Sequence, residues 1–264
     1  MSFRATDTFD PDLFAKLSEV EDRYFWFVAR NRLIGTLVSR TVRALPNGYR
    51  MLEIGCGSGG ALRAAQRACD RGVTFGTDLF LEGLKFAAGR TSSPLLVSEI
   101  QSLPFSRAFH LVSLLDVLEH LDDDVAALEK ASQVLLPGGA VLVTVPAHQW
   151  LWSYADTAAH HRRRYSARSL RKLLENAGFE VEFVSYFMLG TLPAVWLTRK
   201  LFPQKGGNTA AQEFLAELSI GSVTNTLLRT LVGWEAAWVG RYRRLPTGSS
   251  LVAIARLPGT ANKQ

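Results

Sequence analysis

Met51-Leu-Glu-Ile-Gly-Cys-Gly-Ser-Gly-Gly60 is the stretch on which the rest of the chain is read. Met51 to Ile54 reads as a strand, the glycines as a tight turn out of it, and the segment to Cys69 as a helix. Glycine suits such a turn because left-handed backbone and close approach to a ligand both exclude a Cβ. Two counts are open. Gly55, Gly57 and Gly60 give G-x-G-x-x-G, whereas Gly55, Gly57 and Gly59 give G-x-G-x-G. Both imply the same local fold and different ligands.

Outward from this turn, strand and helix patterns alternate. The strands expected after Met51–Ile54 are Val73–Thr77, Leu95–Val97, His110–Leu115, Ala140–Val145, Glu180–Tyr186 and Ser250–Ala255. Between them lie a helix over Leu81–Ala88, one opened by Asp122-Asp-Asp124, a turn at Pro137-Gly-Gly139, and a helix capped by Ser166 that ends at Asn176-Ala-Gly178. Helices of this length between strands mean βαβ units, hence a mainly parallel α/β sheet covered on both faces. A ligand then belongs at the carboxyl ends of the strands beside the first one. Residues 1–46 are expected to form an N-terminal helical lid and 47–187 the core. A helical insertion over the substrate is expected at 188–248, with the last strand and tail at 249–264.

The 264 residues suffice for one such domain with small appendages, and 47% hydrophobic with 20% charged residues is a globular composition. Two cysteines, Cys56 and Cys69, exclude a disulfide framework, and MSFRATDTFD carries no apolar signal core, so a cytoplasmic location is expected. The net charge of +6 is mild, and the basic residues are too scattered to track phosphates, so no nucleic-acid partner is expected.

The two glycine counts correspond to a dinucleotide and to S-adenosylmethionine. Asp78, at the end of the second strand, suits the ribose hydroxyls of either. Glu53 separates them, because an acid there repels a pyrophosphate and attracts a cationic amino-acid moiety. The alternative role for Glu53 is capping loop amides or bonding a neighbouring helix.

Leu52-Glu-Ile-Gly-Cys-Gly-Ser-Gly59, Asp78, Leu103-Pro-Phe105, Leu115-Asp-Val-Leu-Glu-His-Leu121, Leu136-Pro-Gly-Gly139 and Asn176-Ala-Gly-Phe179 follow one another in order. This set resembles class I S-adenosylmethionine-dependent methyltransferases, in particular the small-molecule type that includes ubiquinone-biosynthesis O-methyltransferases. The resemblance implies a Rossmann-like seven-stranded sheet whose last strand is antiparallel. It also implies that Gly55, Gly57 and Gly59 wrap the methionine end of the cofactor with Glu53 in support. Asp78 would hold the ribose, Glu99 and Ile100 would border the adenine, and Asp116 would join the cofactor pocket. Ser102 replaces an acid common before Leu-Pro-Phe in the family.

Methyl transfer from a sulfonium is an in-line displacement, so positioning dominates, with a general base needed where the acceptor holds its proton tightly. His120, His148 and His161 are the candidate bases, with His160 beside them. Asp116, Glu119 and His120 resemble a divalent-cation trio of ubiquinone-type relatives, but neighbours at successive helical positions point apart and no metal is expected. Arg162 and Arg163, before a helix N-terminus, are expected to hold an anionic group of the acceptor with Tyr165, unless they pair with Asp122–Asp124. Tyr24 and Trp26 are expected to close over the acceptor or the sulfonium. Val223, Leu227, Leu231, Trp234 and Trp238 recur at helical spacing ahead of Arg241-Tyr-Arg-Arg244, and Phe183 to Leu197 is a second apolar run. They read as a cover over the cleft, or else as a peripheral membrane contact.

The expected activity is methyl transfer to a small, partly apolar molecule with room for an anionic group, oxygen preferred. A lipid-linked acceptor at a membrane surface is the alternative. A nicotinamide oxidoreductase and a non-catalytic cofactor-binding subunit are the readings of another class.

Overall fold

The computed structural model describes residues 13–201 and 220–259. Residues 1–12, 202–219 of the expected insertion and the tail from 260 lie outside the described residues.

One sheet holds β1 (Arg50–Ile54), β2 (Val73–Asp78), β3 (Leu95–Val97), β4 (Phe109–Leu115), β5 (Leu135–Pro146), β6 (Glu180–Phe187) and β7 (Ser250–Arg256). Their spatial order is β3-β2-β1-β4-β5-β7-β6. The first five pair in parallel, and β7 runs antiparallel between β5 and β6. Among the described residues the helices are α1 (Leu13–Val20), α2 (Phe25–Val42), α3 (Gly60–Ala68), α4 (Leu81–Ala88), α5 (Asp124–Val134), α6 (Tyr154–Ala158), α7 (Ala167–Asn176), α8 (Leu192–Leu201) and α9 (Ser222–Val239). Order and direction agree with the Rossmann-like expectation.

The two-residue period of each strand sorts its side chains into two layers. Met51, Leu111, Leu142 and Ile254 pack with α2, α3 and α9, while Leu52, Val112, Val143 and Ala253 pack with α5 and α7. The sides differ in what they bring to the strand ends: α2 is a core helix, with Leu33, Ile34, Leu37 and Val38 fully buried, yet it also carries the buried Arg30.

Two expectations are corrected. Pro137-Gly-Gly139 is no turn before β5, because β5 begins at Leu135. The register jumps between the pairs Phe109–Leu135 and Leu111–Ala140. Gly138, at φ +76°, supplies the left-handed residue that such a bulge uses. The stripe on α9 is no cover either. Val223, Leu227, Leu231, Trp234 and Trp238 face solvent, and the helix docks on α2 through Val232, Gly233, Ala236 and Val239. Asn225 is on the docked side: its side chain accepts from Phe25 N at 2.9 Å and donates to Arg23 O at 2.8 Å.

Candidate functional site

The glycine loop leaves β1 with Gly55, Gly57 and Gly59 at φ +74°, +51° and +82°. At Gly59 a Cβ would lie 2.8 Å from the Ala87 Cα, so α4 closes on the loop where no side chain fits. Asp78 Oδ2 accepts from Gly57 N at 2.7 Å and Oδ1 from Phe80 N at 2.8 Å. The acid expected to hold a ribose therefore also shapes the loop, and its further lone pairs remain for a ligand. Burial raises its pKa, against the pull of these amides. Above the loop, Phe14 of α1 lies against Gly57 and faces the Phe80 ring at 6.0 Å. Glu21 receives the Ser58 hydroxyl at 2.5 Å and pairs with Arg90.

Glu53 follows Met51 onto the α2 side of the sheet and is buried there, its Oε2 without a hydrogen-bond partner. Burial pushes its pKa up to about 8, outweighing the attraction of Arg30. Arg30, 8% exposed, is committed elsewhere. It pairs with Asp116 Oδ2 at 2.5 Å and donates to Leu115 O at 3.0 Å. Asp116 ends β4 in a left-handed conformation, φ +57°, which marks a strained residue at the rim. The loop glycines, Glu53, Asp78 and Asp116 thus meet at the carboxyl ends of β1, β2 and β4. Glu99 is exposed and Ile100 half-buried, in the turn beyond β3. A ligand with a positive charge near Glu53 and hydroxyls near Asp78 fits this corner, because the unpartnered carboxylate is otherwise a cost.

After β4, Glu119, His120 and His161 bring one ligating atom each within 4.8 Å of one another. Among the described residues this is the group able to hold a cation. It differs from the trio weighed from sequence in that His161 stands in for Asp116, which is held by Arg30. Burial, with Asp116 adding, lifts the Glu119 carboxyl well above its ordinary range. Burial also drives His120 down to about 3, the neighbouring His161 and His160 adding to it, so His120 is neutral and a poor base. His161 is oriented. Its Nδ1 meets Asp156 Oδ1 at 2.9 Å, and Asp156 also receives Arg164 Nε at 2.6 Å and Ser153 N at 2.8 Å. Burial alone would raise the Asp156 pKa, but the His161 and Arg164 bonds bring it down to about 2. His148 stands apart, stacked on Tyr186 at 4.9 Å with Nε2 against Thr247 Oγ1 at 3.0 Å.

For the arginine run the anion-site reading is corrected, and the pairing of Arg162 and Arg163 with Asp122–Asp124 holds. Arg162 pairs with Asp122, Arg163 with Asp124 at 3.1 Å, and Arg164 with Asp156. Arg162 and Arg163 also donate to the carbonyls of His120, Leu121 and Asp122. The buried Tyr165 hydroxyl donates to Asp124 at 2.8 Å. These residues form a strut that pins the loop after β4 to the end of β5, and carboxylates rather than an acceptor's anion offset their charge near α7. Tyr24 and Trp26 are half-buried at the start of α2, Trp26 lying 5.3 Å from the Arg30 guanidinium.

Arg30 and Asp156 were not read from the sequence as site residues. Arg30 could have been, since it occupies a core-facing position among Trp26, Leu33, Ile34 and Leu37. Asp156 gave no comparable signal.

A family model described as a methyltransferase domain matches residues 26–183. A protein of Mycolicibacterium smegmatis named "Probable S-adenosylmethionine-dependent methyltransferase" is 27% identical over 175 residues, 60% of this chain and 60% of that protein. The chain therefore spans less than two thirds of that relative's length. A ubiquinone biosynthesis O-methyltransferase of Xanthomonas axonopodis pv. citri is 27% identical over 179 residues, 60% of this chain and 72% of that protein. Among solved structures, a complex between the Haloferax volcanii Trm112 methyltransferase activator and "the putative methyltransferase" aligns with TM-score 0.60 at 21% identity. It covers 97% of this chain and 100% of that one. Haemonchus contortus phosphoethanolamine N-methyltransferase 2 with S-adenosyl-L-methionine aligns with TM-score 0.53 at 19% identity, over 82% of this chain and 51% of that one. These structural likenesses speak for the fold.

Proposed function

The chain belongs to the methyltransferase-domain family, and from that premise we propose that it transfers a methyl group from S-adenosylmethionine to a small, partly apolar acceptor, oxygen preferred. The observation that carries the proposal is the buried, unpartnered carboxylate of Glu53 beside the glycine loop. It suits a cationic ligand and opposes a pyrophosphate, which argues against a nicotinamide cofactor.

When bound, S-adenosylmethionine supplies an electrophilic methyl group on sulfur. Gly55, Gly57 and Gly59 would let backbone approach it, Glu53 would face its positive charge, and Asp78 its ribose. Glu99 and Ile100 belong to the proposal as the adenine border, at the end of β3. His161 is the proposed base. The Asp156 carboxylate accepts the Nδ1 proton, which leaves Nε2 as the basic nitrogen for the acceptor's proton. His120 and His148 are not assigned this role, the one held neutral by burial and the other stacked away from the cluster. An anionic group on the acceptor is not part of the proposal, since the arginines meant for it are paired. A lipid-linked acceptor is a second reading, favoured by the exposed tryptophans of α9. Among the described residues no helix is long and apolar enough to cross a membrane.

Calorimetric titration with S-adenosylhomocysteine, S-adenosylmethionine and NADH tests the cofactor. Micromolar binding of the first two, weakened by Glu53→Gln, is expected; binding of NADH alone overturns the proposal. With an acceptor in hand, His161→Ala is expected to lower kcat by roughly 100- to 10,000-fold while leaving S-adenosylhomocysteine binding intact.

A further inference from the structure

The chain has six tryptophans, and Trp150, Trp196, Trp234 and Trp238 are exposed, Trp234 at 78%. Tryptophan carries one of the largest apolar surfaces, so its exposure, greatest at Trp234, calls for a reason. They lie on neighbouring elements. The turn bearing Trp150 packs on α8, which carries Trp196. The start of α8 is tied to α9 by Glu235, which accepts from Leu189 N and Gly190 N at 2.8 and 2.6 Å. On α9 itself Val223, Leu227, Leu231, Trp234 and Trp238 form one stripe opposite the docked face.

The charge beside the stripe is one-sided. Where the stripe ends, Arg241, Arg243 and Arg244 follow with no acid among them, and Glu235 of α9 is already engaged by the two amides, whereas Arg229, four residues after Asn225, lies on the docked side. Arg241, Arg243 and Arg244 are exposed, and among the described residues none of them is in an ion pair. Arg243 lies 4.5 Å over the Trp238 ring, so cation and aromatic share one surface.

We infer that the outer face of α9, with the arginines that follow it, is a docking surface for an anionic lipid bilayer. Leucine and valine suit the acyl boundary, tryptophan with its ring N–H suits the headgroup level, and arginine suits lipid phosphates. The contact is peripheral. It does not rest on the methyl-transfer reading.

The test uses the full chain and two vesicle types, phosphatidylcholine alone and phosphatidylcholine with phosphatidylglycerol. Co-sedimentation with the anionic vesicles only, together with a blue shift of tryptophan emission, is the expected result. Trp234→Ser should abolish most of the blue shift, and the double variant Arg243→Ala, Arg244→Ala should weaken vesicle binding by about 10-fold or more. Both variants should keep the wild-type circular dichroism and melting temperature, because the altered side chains are exposed. Failure to bind either vesicle overturns the inference. So does a dimer in solution that Trp234→Ser dissociates, since a second copy would then be the occupant, and so does unchanged binding by both variants. S-adenosylhomocysteine titration of the same samples separates this failure from that of the methyl-transfer reading.

Discussion

Two corners of the molecule hold similar numbers of charged side chains and use them in opposite ways. At the strut between β4 and β5, Arg162, Arg163 and Arg164 each meet a carboxylate. At the glycine loop and the rim beside it, Glu53 and Glu119 each keep a buried oxygen without a partner. Charges that answer one another build a rigid part, while buried carboxyl groups left unanswered mark where something from outside has to supply the partner. The richest basic motif in the sequence is therefore scaffold, and the less conspicuous Glu53 is the better pointer to a ligand.

The largest expected effect sharpens this contrast on the strut side. Asp156→Ala leaves buried Arg164 without its carboxylate and should destabilise the fold by about 3–5 kcal/mol in urea denaturation. Because the Asp156 pKa lies at about 2 in the folded chain against 3.8 ordinarily, its contribution is complete above that ordinary value and is lost as pH falls through 2. The variant should lack this acid-induced step.

On the loop side, Gly59→Ala places a Cβ against α4 and holds alanine at φ +82°. Isothermal titration should show S-adenosylhomocysteine affinity reduced by roughly 100-fold, at a strain of a few kcal/mol. Wild-type affinity would break the comparison, since the loop would then tolerate side chains at its tightest point.

Glu53→Gln separates the corners by pH. The folded pKa of about 8 stands above the ordinary 4.5, so the folded chain holds an extra proton between these values. Wild-type stability should fall as pH rises through that window, and the variant should be spared the loss. A cationic ligand should reverse the preference, with roughly one proton released on binding near neutral pH and affinity about 10-fold weaker in the variant. Calorimetry in two buffers of different ionisation enthalpy reads both. The smallest effect is Arg162→Ala, whose partner Asp122 is largely exposed; a change in stability below about 1 kcal/mol is expected.

Most of the fold is legible in the sequence because it rests on local period and turn chemistry. Leu81–Ala88 and Leu95–Val97 are read to the residue, and Ser166 caps its helix as expected. What escapes depends on partners distant in sequence. The α9 stripe reads as buried from its period alone, yet its spacing cannot say which face α2 takes. Asp156 acquires a role only when His161 and Arg164 fold back on it. Likewise, the arginine run could be told from an anion site only by where Asp122, Asp124 and Asp156 come to lie.

The placement of β7 has a consequence for how the chain is made. Ser250–Arg256 is the last strand in sequence among the described residues, yet it lies between β5 and β6 and pairs with both. During synthesis β5 presents an open hydrogen-bonding edge, and β6 has no neighbour, until those seven residues emerge from the ribosome. Sheet closure is thus a late, long-range event, and a nascent chain arrested before Ser250 should be protease-sensitive and dependent on chaperones, however well its glycine loop is already formed.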